Sequence, residues 1–210
     1  MTNTIFGGEL TEYASRIRHN YPLSTYDHRP FLPKNIAPLF FTEKFRLGYA
    51  CFKREVAYVL QPKRIIEIGV GLGISALAFL NGCPSATYLG IDNDCETERD
   101  FPIKPSEFVS NLLGPKGKIE IKDSLTIDRL PAADLIHIDG GHSYGDAYSD
   151  VMLAWRSDIK WILVDDARDS VVAAATMAAL YRKSPGSVDW AYFEDTWTGS
   201  ILISRVKERS

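Results

Sequence analysis

The run Lys63-Arg64-Ile65-Ile66-Glu67-Ile68-Gly69-Val70-Gly71-Leu72-Gly73-Ile74-Ser75 limits what this chain can fold into more than any other stretch. It opens as a short apolar segment suited to a buried parallel strand. It breaks on Gly69, Gly71 and Gly73, then resumes as Ala76-Leu77-Ala78-Phe79-Leu80, the start of a helix. A strand, a glycine loop and a helix bring bare backbone close to a ligand. Glycine permits positive φ and close approach, and the free N–H groups of a helix start favour anionic groups. A tight turn would use the same glycines. Glu67 sharpens the pattern, because an acid inside a buried strand needs a partner, and a cationic ligand group would serve.

Downstream, apolar runs repeatedly end in acids. Residues 86–92 read as a second strand ending in Asp92, at about the 20-residue distance past the glycine loop where a carboxylate meets a ribose diol. Residues 118–124 alternate like a strand and end in Asp123-Ser124. Residues 133–139 end in Asp139, and 160–166 in Asp165-Asp166. Between them, 143–156 reads as a helix with Ala147, Val151, Ala154 and Trp155 inward, and Asp169 caps an alanine-rich helix reaching Arg182. The polar segment 93–111, with two prolines, predicts a broken helix. Residues 188–194 and 200–206 are strands joined by a link too short for a parallel crossover, so they pair as an antiparallel hairpin.

Residues 1–41 read as irregular, because Gly7-Gly8, Pro22, Pro30, Pro33 and Pro38 interrupt any long element. Their dispersed tyrosines and phenylalanines suit a docking segment or a lid over the glycine loop, and would also serve a homodimer. Thr42 caps a helix whose apolar stripe is Phe45, Tyr49, Phe52, Val56, Val59 and Leu60, and Pro62 ends it. The whole is one α/β domain over 1–210: a Rossmann-like three-layer sandwich with a mixed seven-stranded sheet and a C-terminal hairpin. A formal net charge of −3 offers no nucleic-acid groove or polybasic membrane anchor. No apolar run approaches the roughly 18 residues that span a bilayer, and no signal peptide opens the chain. Cys51, Cys83 and Cys95, without CxxC spacing, read as free thiols, and the expected location is cytoplasmic.

Glu67-x-Gly69-x-Gly71-x-Gly73, Asp92 and the terminal hairpin together resemble the class I S-adenosylmethionine-dependent methyltransferases, over roughly residues 43–206. That resemblance implies the strand order 3-2-1-4-5-7-6. Within the class, Ile138-Asp139-Gly140-Gly141-His142-Ser143-Tyr144 and Val164-Asp165-Asp166 are similar to the metal-dependent small-molecule O-methyltransferases of catechol type and macrolide-sugar type. The resemblance implies Asp139, Asp165 and Asp166 as ligands of a divalent cation and His142 as general base. It implies Ser75 near the methionine end of S-adenosylmethionine and Asp123-Ser124 on its adenine side.

The same chemistry follows from physical argument. Neighbouring strands lie about 4.8 Å apart, so acids at their carboxyl ends converge, and three such carboxylates repel one another without a cation. Oxygen ligands select a hard ion, Mg²⁺ foremost. The ion would acidify an acceptor hydroxyl, and His142 would take its proton. His137, alternating with isoleucines inside a strand, reads as a satisfied core histidine. Two other readings stay open: an NAD(P)-dependent oxidoreductase, whose GxGxxG the third glycine misses by one position, and a non-catalytic relative that binds cofactor. The short chain leaves no separate substrate domain, so the expected acceptor is a small molecule.

Overall fold

The computed structural model describes residues 9–32, 38–93, 105–183 and 188–205. Its strands are β1 (Arg64–Ile68), β2 (Thr87–Asp92), β3 (Gly117–Ile121), β4 (Leu135–Ile138), β5 (Trp161–Val164), β6 (Val188–Phe193) and β7 (Ser200–Arg205). They form one sheet in the order β3-β2-β1-β4-β5-β7-β6. The first five run parallel; β7 lies antiparallel to both β5 and β6. The mixed sheet and hairpin therefore stand as read from the sequence.

The strands carry apolar side chains on both faces, and their period of two deals alternate residues to opposite cores. Ile65, Leu135, Leu163 and Leu202 join one cluster; Ile66, Ile136, Ile162 and Ile203 join the other. The first face is covered by α1 (Glu9–Asn20), α2 (residues 43–60), α3 (Ile74–Gly82) and α4 (Pro105–Leu113). The second is covered by α5 (Tyr144–Arg156) and α6 (Ser170–Lys183). Helix α2 runs in three stretches: α-helical Glu43–Phe45, π-helical Arg46–Cys51 and α-helical Phe52–Leu60. Thr42 caps it by accepting from the Phe45 N–H, and Gln61 in the left-handed region ends it before Pro62.

One expectation is corrected. Residues 9–20, read as irregular, form a regular helix, because the first proline comes only at Pro22. Glu9 and Glu12 in its first turn and Arg18 and His19 in its last complement the helix dipole. Leu10, Ala14 and Ile17, at spacings of four and three, are buried in the sheet's core. Tyr13 meets Trp161 edge-on at 5.6 Å, and Arg18 donates to the Tyr192 carbonyl at 2.8 Å. Of the broken helix expected at 93–111, residues 94–104 lie outside the described residues, as do Cys95 and Val206; the remainder enters α4.

Candidate functional site

Strand order puts β1 between β2 and β4, with the chain passing outward through β2 and β3 before returning to β4 on its other side. At such a switch point the connections leave in opposite directions and open a crevice at the strands' carboxyl ends. A cavity of about 440 Å³ lies there. Its middle is the glycine loop, held by the Gly69 N–H to the Ile91 carbonyl and the Gly73 N–H to the Val70 carbonyl, both at 2.9 Å. Gly69, at φ +81°, passes so near β4 that a Cβ would sit 2.0 Å from the Asp139 carbonyl oxygen. Gly71, at φ +48°, lines the cavity, and a Cβ there would meet no protein atom within 4 Å. The first glycine serves packing; the second leaves a gap on the side a ligand would approach.

One end of the cavity is built by β2 and β3. Asp92 Oδ2 accepts from the Val70 and Gly71 N–H groups at 2.7 and 3.2 Å, tying the β2 tip to the loop. Lys122, Asp123 and Ser124 line this end, and Asp123 Oδ1 caps the following turn by accepting from the Leu125 N–H at 2.9 Å. Behind Ser124 lies Asp150 of α5, 1% exposed, whose Oδ1 has no hydrogen-bond partner among the described residues. Burial lifts its pKa from 3.8 to about 6 against the pull of the Ser124 hydroxyl.

The other end gathers side chains from α2, β4, β5 and the β6–β7 connection. Asp139 Oδ2 accepts from the Tyr49 hydroxyl at 2.6 Å. Burial, reinforced by Asp165, raises the Asp139 pKa to about 7. His142 Nε2 lies 2.8 Å from Asp166 Oδ2, and that hydrogen bond raises the imidazole to about 9. Asp139, His142 and Asp166 each offer a donor atom within 4.8 Å of the others. Two carboxylates and an imidazole are a donor set that fits a divalent cation. Phe40, Phe45, Tyr49 and Trp197 wall this end, with Phe45 stacked on Tyr49 at 4.9 Å.

Two residues are placed otherwise than expected, and a third, Asp165, lines the cavity as expected but is engaged within the chain. Glu67 and Ser75 do not line the cavity. Glu67 is fully buried and satisfied by the chain itself: it accepts from the Ser75 and Tyr88 hydroxyls, and His137 Nδ1 lies 2.6 Å away. It therefore needs no ligand to offset its burial. His137 is only half satisfied, since its Nε2 finds no partner among the described residues. Asp165, grouped by sequence with the metal ligands, is 3% exposed and bonded on both oxygens. Its Oδ2 pairs with Lys53 Nζ at 2.7 Å, while Oδ1 accepts from Thr198 at 3.0 Å and Ser200 at 2.8 Å. Burial alone would raise its pKa; Lys53 reverses this and holds the carboxylate below 3.8.

Sequence reading passed over Tyr49's polar role, Lys53 and Asp150. Lys53 stands four residues after Tyr49 in the apolar helix, and Asp150 three after Ala147 on an inward stripe. A charged residue on an apolar stripe was the available signal in both cases.

The family described as a methyltransferase domain matches residues 66–167. No curated protein matches. Among solved structures, the O-methyltransferase TomG of Streptomyces achromogenes, involved in tomaymycin synthesis and bound to S-adenosylmethionine, is similar at 16% identity and a TM-score of 0.60, covering 96% of this chain and 100% of that one. The SAH-bound Podospora anserina methyltransferase PaMTH1 is 17% identical with a TM-score of 0.57, covering 98% and 91%. The SAH complex of a Bacillus cereus O-methyltransferase is 12% identical with a TM-score of 0.57, covering 92% and 90%. These likenesses cover nearly the whole chain and concern its fold.

Proposed function

We propose that this chain, whose residues 66–167 match a methyltransferase-domain family, transfers a methyl group from S-adenosylmethionine to a hydroxyl group of a small molecule. The observation that carries this reading is one cavity joining two unlike ends. A backbone cradle with Asp92 at its edge suits a nucleoside bearing a charged tail, and a cluster of titratable side chains suits an acceptor that must lose a proton. The volume of about 440 Å³ falls within the range of small-molecule sites.

In the reaction, the acceptor oxygen forms its bond to the methyl carbon as the carbon–sulfur bond breaks, leaving a neutral thioether. The glycine loop and Asp92 hold the donor. Tyr49, Phe45 and Trp197 exclude water from the acceptor end. His142, in its neutral form, takes the hydroxyl proton; Asp166 at 2.8 Å orients it and, with no cation bound, raises the pH at which that form appears. Asp139 and Asp166 would hold a divalent cation, which when bound lowers the pKa of an oxygen it ligates. The NAD(P) alternative is disfavoured because β7 enters the sheet antiparallel between β5 and β6, whereas the dinucleotide fold continues in parallel.

The test is transfer of radiolabelled methyl from S-adenosylmethionine to a panel of phenols, catechols, sugars and hydroxy acids, with and without Mg²⁺. Transfer to a hydroxyl that His142→Ala slows by about 10²–10⁴, with cation affinity kept, supports the assignment. Loss of cation affinity in that variant makes His142 a ligand instead. Tight cofactor binding without transfer to any acceptor would point to a non-catalytic relative.

A further inference from the structure

The strongest feature the reaction leaves unused is Lys53, a lysine with no exposed surface that sits beneath the acceptor end of the cavity. Its ammonium lies 2.7 Å from Asp165 Oδ2, with 1% of one side chain and 2% of the other exposed. It also lies 4.6 Å from the Tyr49 ring centroid. The same helix thus sends Tyr49 to the β4 carboxylate and Lys53 to the β5 carboxylate.

We infer that Lys53 is a positioning residue that withdraws Asp165 from the cation's ligand set and leaves Asp139 and Asp166 as its carboxylate donors. This rests on the cation-assisted part of the proposed function. Three carboxylates at adjoining strand tips would repel one another, but the chain supplies compensation of its own, Lys53 against Asp165. Both Asp165 oxygens are engaged, by the ammonium, Thr198 and Ser200. A hard divalent cation binds carboxylate oxygen at about 2.0–2.6 Å. On Oδ2 it would have to displace the ammonium or sit against it, and an unpaired ammonium in a dry interior is strongly unfavourable. Both acids line the cavity, but Asp166, next in the chain and turned at φ +54°, is the one whose carboxylate lies within 4.8 Å of donor atoms of Asp139 and His142. Two consecutive acids therefore do different work: the first anchors the β5 tip to α2 and the hairpin, and the second faces the ligand.

The experiment is Mn²⁺ titration, followed by electron paramagnetic resonance and calorimetry, of the full chain and three variants, with S-adenosylmethionine affinity measured alongside. Asp166→Asn should weaken Mn²⁺ by at least about tenfold, the loss of a ligand worth 1.4 kcal/mol or more. Lys53→Met, which frees Asp165, should bind Mn²⁺ more tightly than the native chain by a similar factor. The double variant Lys53→Met/Asp165→Asn, which leaves no unpaired buried charge should the single variant fail to fold, should bind Mn²⁺ within about twofold of native. A loss in the double variant as large as that in Asp166→Asn would make Asp165 a ligand and overturn the inference. So would Mn²⁺ binding absent from every protein, including a folded Lys53→Met. If Mn²⁺ binds Lys53→Met but not the native chain, Lys53's role stands and the cation-assisted mechanism falls. Cofactor affinity retained throughout keeps methyltransfer itself apart from either result.

Discussion

Asp150 makes a quantitative prediction about stability. It is a carboxyl on the buried face of α5, 1% exposed, with Oδ1 unpartnered among the described residues and a pKa lifted from 3.8 to about 6 by burial. A carboxyl whose folded pKa is raised holds its proton more tightly in the native state than in the unfolded one. Its favourable contribution is therefore complete below pH 3.8 and is lost as pH rises through about 6. At 1.36 kcal/mol per pH unit, the gap between the two values is worth roughly 3 kcal/mol as an upper limit. Asp150→Asn cannot titrate, so the native chain should lose up to about that much against the variant between pH 3 and 8. For a chain of this size that corresponds to a relative change in Tm of roughly 6–12 °C. Urea unfolding of both ligand-free proteins across this range gives the difference directly, and other titrating groups cancel. A native–variant difference that stays constant with pH would show that Asp150 is ionised in the folded protein and that the argument from its burial is wrong.

The glycine loop should separate two effects: Gly69→Ala should fail to fold or unfold at much lower denaturant, since its Cβ meets the Asp139 carbonyl. Gly71→Ala should retain a native circular dichroism spectrum, lose only the roughly 1–2 kcal/mol of a left-handed residue, and bind S-adenosylmethionine at least about tenfold more weakly by calorimetry. Asp92→Ala should weaken the cofactor by about 1.5–3 kcal/mol, the value of a hydrogen bond to a charged group; unchanged affinity in the folded variant would remove Asp92 from the cofactor site. In the metal-free protein, NMR titration should find the His142 imidazolium persisting to about pH 9. Asp166→Asn should return it toward 6.5, so a native midpoint already near 6.5 would dissolve the pair.

The sheet was legible because its inner strands β1, β4 and β5 are buried on both faces and so read as short apolar runs, each closed by a polar tip. The hairpin was legible because only its short link had to be weighed against the length of a crossover. Helix α1 was missed because the prolines that follow it dominated the reading of the first 41 residues, while its own 12 residues are sparsely apolar. The β4 and β5 tips were found as a cluster of acids, but their division of labour was not. That division depends on Lys53, 112 positions from Asp165 in sequence, and becomes visible only once α2 packs beneath β5. Glu67 was identified as an acid needing a partner; that the partners are Ser75, Tyr88 and His137 follows from the parallel register of β1 with β2 and β4. Local pattern specifies which residues want company, and tertiary packing specifies whose.

The π-helical turn at Arg46–Cys51 behaves as one residue too many in an otherwise ordinary helix. Such an insertion advances everything before it by about 100° relative to everything after it. Phe52, Val56 and Val59 can thus keep their grip on the core while Phe45 and Tyr49 point into the cavity. Gly48, within the turn, accepts the Trp197 N–H at 2.9 Å and leaves no room for a Cβ against that backbone, so the β6–β7 connection is moored to the same irregularity. The anchoring half and the ligand-facing half of α2 are thereby free to diverge independently, like two gears on a slipped shaft. A deletion of one residue that restored regular α-helix would suit the backbone and carry the aromatic wall away from the reaction. Backbone regularity and the placement of the aromatic wall therefore pull this turn in opposite directions.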